Sequence, residues 1–308
     1  MARSLRDLRQ KIRGVKSTRQ VTKAMELVAA SKMRRALQNS QMLRRYAWTA
    51  WNILQRIAGI YPESHPYLQK RPVNRILCVL FSTDRGLAGS LNAQLFRTTL
   101  QYIEGVKTLP KFAQLDFVAV GKKGQQFLAR QGQNVVAAFN GFSNHPTFRD
   151  SYAISRLVTD AFLKGDYDQV VLLYPDCISA LQQLPTAKVL LPLSQSELRS
   201  MLESIVPQRT SQKLAEPDTK RVGEYLFEPS QKEVLKVIIP QLTEVQIYQA
   251  ILETAASEHS ARMVAMRNAT ENASEIIDDL TLTYNQTRQA NITAELAELS
   301  ASKAALEA

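Results

Sequence analysis

From Arg3 to Gly59 the chain contains no proline and a single internal glycine, Gly14, and from Gln241 to Ala308 it contains neither residue. Nothing in either stretch stops a helix. At about 1.5 Å per residue the first can run as one rod of roughly 85 Å and the second as one of roughly 100 Å, far longer than a helix that merely covers a globular core. Any fold for this chain must house two such rods, one at each end.

Each rod carries a narrow apolar stripe. In the first it runs Leu5, Leu8, Ile12, Val15, Thr18, Val21, Met25, Ala29, Met33 and Ala36, and later Leu43, Ala47, Ala50, Leu54 and Ile57. Steps of three and four dominate, as in a coiled-coil seam. Two threes in succession (Val15, Thr18, Val21) and two fours (Met25, Ala29, Met33) predict a supercoil that is locally over- and underwound. In the last rod Leu242, Val245, Leu252, Ala255, Met263, Met266, Ala269, Ile276, Ile277 and Leu280 play the same part. Two ends that each seek a long partner close most simply on one another, which predicts an antiparallel coiled coil.

The formal net charge is +11, and it is unevenly placed. Residues 1–45 hold thirteen of the 39 basic residues and only Asp7 and Glu26 of the 28 acidic ones, so positions 46–308 balance to zero. Three kinds of partner suit a basic helix: nucleic acid, an acidic membrane surface or an acidic protein. Residues 1–45 contain no aromatic side chain, which argues against stacking on single-stranded bases. A basic coiled-coil protein that binds duplex nucleic acid stays open as an alternative, as does a passive scaffold.

Between the rods the pattern changes. Tyr61, Pro62, His65 and Pro66 end the first, and short apolar runs then alternate with helical stretches. Strands are predicted at Arg75 to Phe81, Leu115 to Val120, Asn134 to Phe139 and Gln169 to Tyr174. Helices are predicted at Leu91 to Gly105, Lys122 to Gln131 and Thr147 to Lys164, with an edge strand at Ala187 to Leu193. The fold class is therefore α/β: a Rossmann-like, largely parallel domain over residues 73–193 together with the terminal coiled coil. The expected divisions are 1–60 for the first helix, 194–240 for a polar loop and foot segment, and 241–308 for the last helix. Trp48 and Trp51 are expected to pack where the first rod meets the domain.

Catalytic chemistry is hard to find. The turn Ser82 to Ser90 joins a strand to a helix, where α/β proteins often hold phosphates, but it matches neither GxGxxG nor GxxxxGK[ST]. Gly121-Lys122-Lys123-Gly124 occupies a second such turn, and in both places a tight turn that needs glycine is the simpler explanation. His65, His145 and His259 show no ligand spacing. Cys78 falls in a strand and Cys177 just after another, with no CxxC or zinc pattern, and a reduced compartment is expected. Met25, Met33, Met42, Met263 and Met266 lie on or near the seams and are expected to be core. No eighteen-residue apolar run is present to span a membrane. No active site, metal or cofactor is predicted.

Several runs carry a resemblance. Ser4-Leu5-Arg6-Asp7-Leu8-Arg9 and Thr22-Lys23-Ala24-Met25-Glu26-Leu27-Val28-Ala29-Ala30-Ser31-Lys32-Met33-Arg34-Arg35-Ala36 resemble the N-terminal signature of the γ subunits of F-type ATP synthases. Asp84-Arg85-Gly86-Leu87-Ala88-Gly89-Ser90-Leu91-Asn92 is similar to that family's first strand-to-helix turn. The segments from Ser257 to Asn272 and from Tyr284 to Thr293 are similar to its C-terminal helix. The likeness spans the chain and departs mainly at Ser194 to Val222. It also lacks the cysteine-bearing insertion of the chloroplast form, so thiol control is not expected.

The resemblance implies a non-catalytic rotor shaft. It would couple ion-driven rotation of a c-ring to conformational cycling of catalytic β subunits inside an α3β3 hexamer, with an ε subunit on its globular domain. By match to the family's motifs, Arg288, Gln289 and Thr293 are expected to contact a β catch loop, and Lys23, Met25 and Glu26 to face the β lever. Tyr225, Phe227 and Glu228 are expected to form a foot against ε or the ring. The tip Ile292 to Ala308 is expected to act as a bearing in a hydrophobic sleeve. The implied location is peripheral, on the cytoplasmic face of an energy-transducing membrane, either the cell inner membrane or the thylakoid. No nucleic-acid partner is implied.

Overall fold

The computed structural model describes residues 5–58, 66–69, 71–108, 112–142, 146–193 and 230–306. The chain divides into two compact units, one of residues 1–30 with 262–308 and one of residues 31–261. The expected foot residues Tyr225, Phe227 and Glu228, the loop Ser194 to Val222, His65 and His145 lie outside the described residues, as do the side chains of Trp48 and Trp51.

In the larger unit five strands form one sheet in the order β3-β2-β1-β4-β5. They are β1 (Arg75–Phe81), β2 (Gln114–Val120), β3 (Asn134–Phe139), β4 (Gln169–Cys177) and β5 (Gln183–Leu191). Helix α2 (Leu91–Lys107) joins β1 to β2, α3 (Lys122–Arg130) joins β2 to β3, and α4 (Phe148–Lys164) joins β3 to β4. These crossovers make the first four strands parallel, whereas the short turn after β4 lets β5 return antiparallel.

The strand sequences follow from burial on two faces. Along β1, Ile76, Cys78 and Leu80 join Phe117 and Ala119 of β2 under α2 and α3. The alternate residues Leu77, Val79 and Phe81 pack with Ile154, Val158 and Phe162 of α4 and with Leu242, Ile247 and Ile251 of the last helix. A strand covered on both sides reads as a continuous apolar run, which is why Arg75 to Phe81 shows no polar alternation. The edge strand β3 alternates between exposed and half-buried residues instead.

The largest boundary differences from the expectation are three. Strand β4 extends past Tyr174 to Cys177, and β5 begins at Gln183 rather than Ala187. Pro175 lies opposite Pro185, so the two missing N–H donors fall at one point of the ladder and pairing resumes beyond it. The last helix, α5 (Gln231–Leu306), starts ten residues before Gln241 and runs through Pro240. Its start is set by Ser230, whose hydroxyl accepts the Glu233 N–H at 3.3 Å, a Ser-x-x-Glu cap. Proline inside a helix loses one backbone bond. Burial of Ile239 and Leu242 against the sheet holds the helix together on either side of it.

The smaller unit pairs the start of α1 (Leu5–Ala58) with the end of α5. Arg9 meets Tyr284, and Thr22 meets Thr270. A step of thirteen residues forward in one helix matches fourteen backward in the other, so the helices are antiparallel.

Candidate functional site

Within this helical pair the seam is regular. On α1 the line Leu8, Ile12, Val15, Arg19, Thr22, Glu26, Ala29 advances by alternating fours and threes; all but Arg19 are buried or half-buried. On α5 the line Met266, Thr270, Ala273, Ile277, Leu280, Tyr284, Thr287 does the same. The covered positions follow a 3.5-residue repeat, in place of the expected pair of threes at Val15, Thr18 and Val21. The difference arises because three seam positions of α1, Arg19, Thr22 and Glu26, are filled by polar residues. Val21 is 55% exposed and Thr18 is exposed, whereas Thr22 is buried in their place, and on α5 Ile276 is 48% exposed beside buried Ile277.

The buried and half-buried polar residues of the α1 seam, Thr22 and Glu26, each have a partner, as burial requires. Thr22 Oγ1 donates to the Arg19 carbonyl at 3.0 Å and lies 2.8 Å from Thr270 Oγ1. Glu26 accepts a 3.0 Å bond from Lys23 Nζ one turn earlier. Arg9 donates to the Tyr284 hydroxyl at 2.7 Å, and its guanidinium sits 5.6 Å from that ring's centroid. Small Ala29 and Ala273 are buried on the facing stripes.

The residues expected to reach partners divide into two groups. Met25 and Glu26 are half-buried on the seam side, and Lys23 stays exposed while paired to Glu26. Arg288 and Gln289 are exposed. The contacts at Arg9 and Thr22 bring the described start of α1, Leu5, opposite about residue 288. Every residue from Arg288 to Ser302 is exposed. In this run Thr293 bonds back to its own helix, donating to the Gln289 carbonyl at 2.9 Å, while Ile292, Leu296 and Leu299 stand exposed at spacings of four and three.

The strand-to-helix turn before α3 is closed to anions. The first N–H groups of α3 are consumed internally: Lys122 N by Asp84 at 3.2 Å, Lys123 N by the Thr83 carbonyl at 3.0 Å and Gly124 N by Ser82 Oγ at 2.7 Å. Asp84 also accepts the Gly141 N–H at 2.9 Å, so the carboxylate staples two loops. Gly121 has φ +99°, and a Cβ there would lie 2.2 Å from the Ser82 carbonyl oxygen, which explains the glycine without a ligand. Where Phe81, Val120 and Gly121 approach Ile251 and Thr254, only about 10 Å³ of free space remains. That is about one water, because α5 fills the mouth where other folds of this kind bind nucleotides.

Among the described residues no three His, Cys, Asp or Glu side chains gather as a metal site, and no helix is long and apolar enough to cross a membrane. His259 is buried in α5 and Cys78 in β1, where burial drives the thiol far above its usual range. The interhelical ties at Arg9, Thr22, Thr270 and Tyr284 were missed by a search for apolar periodicity. A tyrosine and two threonines falling in heptad phase were the available signal.

Comparison with known proteins completes the description. A family model described as ATP synthase matches residues 4–306. The chain is 42% identical over 306 residues to the ATP synthase gamma chain of Roseiflexus sp. (strain RS-1), covering 98% of each chain. It is 35% identical over 305 residues to the gamma chain of Legionella pneumophila (strain Corby), covering 98% of this chain and 99% of the relative. Its fold is similar to a chain of the Euglena gracilis mitochondrial ATP synthase OSCP/F1/c-ring assembly, with TM-score 0.62, 21% identity and coverage of 98% and 94% of the two chains. A chain of the Tetrahymena thermophila mitochondrial ATP synthase central stalk and c-ring matches at TM-score 0.57 and 24% identity, over 81% of this chain and 99% of the other.

Proposed function

The chain belongs to the family of ATP synthase gamma chains, and from that premise we propose how its residues divide the work of the rotor. A gamma chain is the non-catalytic central shaft of the synthase. It couples ion-driven rotation of the c-ring to conformational cycling of the catalytic β subunits, and it is a peripheral part of a membrane complex. Family membership sets aside the nucleic-acid alternative for the basic helix.

Residues 1–60 and 241–308 form the shaft, 73–193 the globular domain and 194–240 the foot segment. Arg288, Gln289 and Thr293 contact a β catch loop, and exposed Lys23 faces the β lever, with Met25 and Glu26 acting mainly from the seam. Tyr225, Phe227 and Glu228 contact ε or the c-ring. The complex sits on the cytoplasmic face of its membrane. The observation that carries this division is the antiparallel pairing at Arg9–Tyr284 and Thr22–Thr270, followed by the exposed helical run from Arg288 to Ser302. Paired helices resist bending and twisting, whereas a bare helical end with Ile292, Leu296 and Leu299 outward suits a sliding apolar bearing. The basic side chains around α1 suit weak, screened attraction to acidic surfaces that must be passed repeatedly.

The test is reconstitution with the hexamer, ε subunit and c-ring in vesicles. Arg288→Ala is expected to lower coupled ATP synthesis severalfold while leaving the melting of the free chain unchanged, because the side chain is exposed. Wild-type synthesis by this variant would remove Arg288 from the contact. A bead fixed to α3 should turn during ATP hydrolysis by immobilised hexamer; a bead that never turns would refute the shaft role.

A further inference from the structure

From Glu253 to Ser260 every residue of α5 is buried, yet most are polar: Glu253, Thr254, Ser257, Glu258, His259 and Ser260. Apolar side chains would fill such a site without a desolvation cost, and buried polar ones are tolerated only where they are bonded. Three of them reach the same neighbour. Glu253 Oε2 accepts the Cys177 N–H at 3.1 Å, and Ser257 Oγ donates to the Pro175 carbonyl at 3.0 Å. Ser260 Oγ donates to the Ala180 carbonyl and accepts from the Gln183 side-chain amide at 3.4 Å. Steps of four and three place Glu253, Ser257 and Ser260 on one line of the helix, spanning about 10 Å. All their partners lie on β4, β5 or the turn between. Thr243 and Thr254 behave differently, donating within α5 to the Ile239 carbonyl at 3.1 Å and the Ala250 carbonyl at 2.7 Å. The receiving hairpin is itself braced. Ser179 and Gln182 exchange backbone bonds at 3.1 and 3.3 Å, and Ser179 Oγ accepts the Leu181 and Gln182 N–H groups at 3.3 and 3.1 Å.

We propose that Glu253, Ser257 and Ser260 form a key that stops α5 from turning about its own axis on the sheet, so that torque delivered to the globular domain passes into the shaft. The proposal rests on the rotor reading above and assigns these three as positioning residues for it.

Apolar packing alone does not supply such a lock. Leu242, Ile247 and Ile251 hold α5 to the sheet, but burial of that kind is non-directional and resists a small rotation weakly. Hydrogen bonds are directional. A turn of about 20° carries an atom lying about 5–6 Å from the helix axis through about 2 Å, which takes the Ser257–Pro175 bond out of range. The three ties share one line, so they must fail together before the helix slips. Beyond Ser260 the same helix continues to Leu306, and a slip here is a loss of angle for every residue after it.

The test uses the full chain assembled with the hexamer, ε subunit and c-ring. Ser257→Ala with Ser260→Ala removes two of the ties, and the matched control, Thr243→Val with Thr254→Val, removes two buried hydroxyls that bond within α5. With the hexamer immobilised and the shaft stalled in it, the angular fluctuation of a bead fixed to α3 reads the torsional stiffness between globular domain and shaft. Its variance should at least double in the serine variant and stay at the wild-type level in the threonine variant. ATP synthesis at low driving force should fall severalfold in the serine variant alone. Wild-type stiffness in the serine variant, or equal softening in both, would overturn the key. Should the double serine variant fail to fold, Ser257→Ala compared with Thr254→Val carries the same two outcomes. A wild-type bead that never turns during ATP hydrolysis would remove the rotor reading and the key with it; a bead that turns, with unchanged stiffness in the serine variant, removes the key alone.

Discussion

The Thr22–Thr270 contact gives the sharpest test of the helical pairing. Each hydroxyl carries one proton, and each has a second acceptor within reach on its own helix: the Arg19 carbonyl at 3.0 Å for Thr22 and the Met266 carbonyl at 2.8 Å for Thr270. In Thr22→Val the surviving Thr270 hydroxyl turns to Met266, and in Thr270→Val the Thr22 hydroxyl turns to Arg19. Neither change strands a buried donor. The cost of each single variant is therefore the net value of one hydrogen bond, about 1 kcal/mol, and not the larger penalty of an orphaned polar group. The double valine variant loses the same single bond and buries two extra methyl groups, so it should be no less stable than either single. The coupling in the cycle is then about 1 kcal/mol. Urea unfolding of the full chain followed by circular dichroism, with hydrogen exchange at residues 19–27 and 266–274, reads all four corners. A single variant losing more than about 3 kcal/mol, or two singles that add in full, would show that the hydroxyls are not backed up as described.

Leu8 is fully buried at the start of the α1 seam, so Leu8→Ala should cost about 3 kcal/mol and speed amide exchange over residues 5–15 selectively; uniform exchange would count against the pairing. Gly121→Ala must place a methyl 2.2 Å from the Ser82 carbonyl at φ +99°, and a loss of about 3 kcal/mol or more in urea unfolding is expected; wild-type stability would contradict the packing. Tyr167→Phe removes a 2.6 Å bond to Asp116, which keeps bonds from Asn134 and Gln114. Its loss should stay near 1–2 kcal/mol, and a larger fall would mean that those amides do not satisfy the carboxylate.

Much of the architecture was legible locally. The absence of helix breakers marked both rods, and runs such as Arg75 to Phe81 marked the buried strands. The glycine need at Gly121 was legible, because a tight strand-to-helix turn is a backbone matter. Arg288, Gln289 and Thr293 were singled out by family likeness alone, since exposure depends on how far the opposite helix extends.

What the amino-acid order determined by itself was the kind and sequence of elements, because helix breakers, apolar period and caps act within a few residues of one another. Even the early start of α5 was written there, in Ser230 and Glu233, and was masked by Pro240. Only the tertiary structure decided which stripe faces which. Val21 and Thr22 are neighbours on one helix, and Thr22 is buried because Thr270 lies across from it. Likewise Cys177 and Glu253 stand seventy-six positions apart, and nothing in either local sequence indicates that the carboxyl will accept that backbone N–H. Local sterics choose a helix; only a facing surface chooses the side it buries.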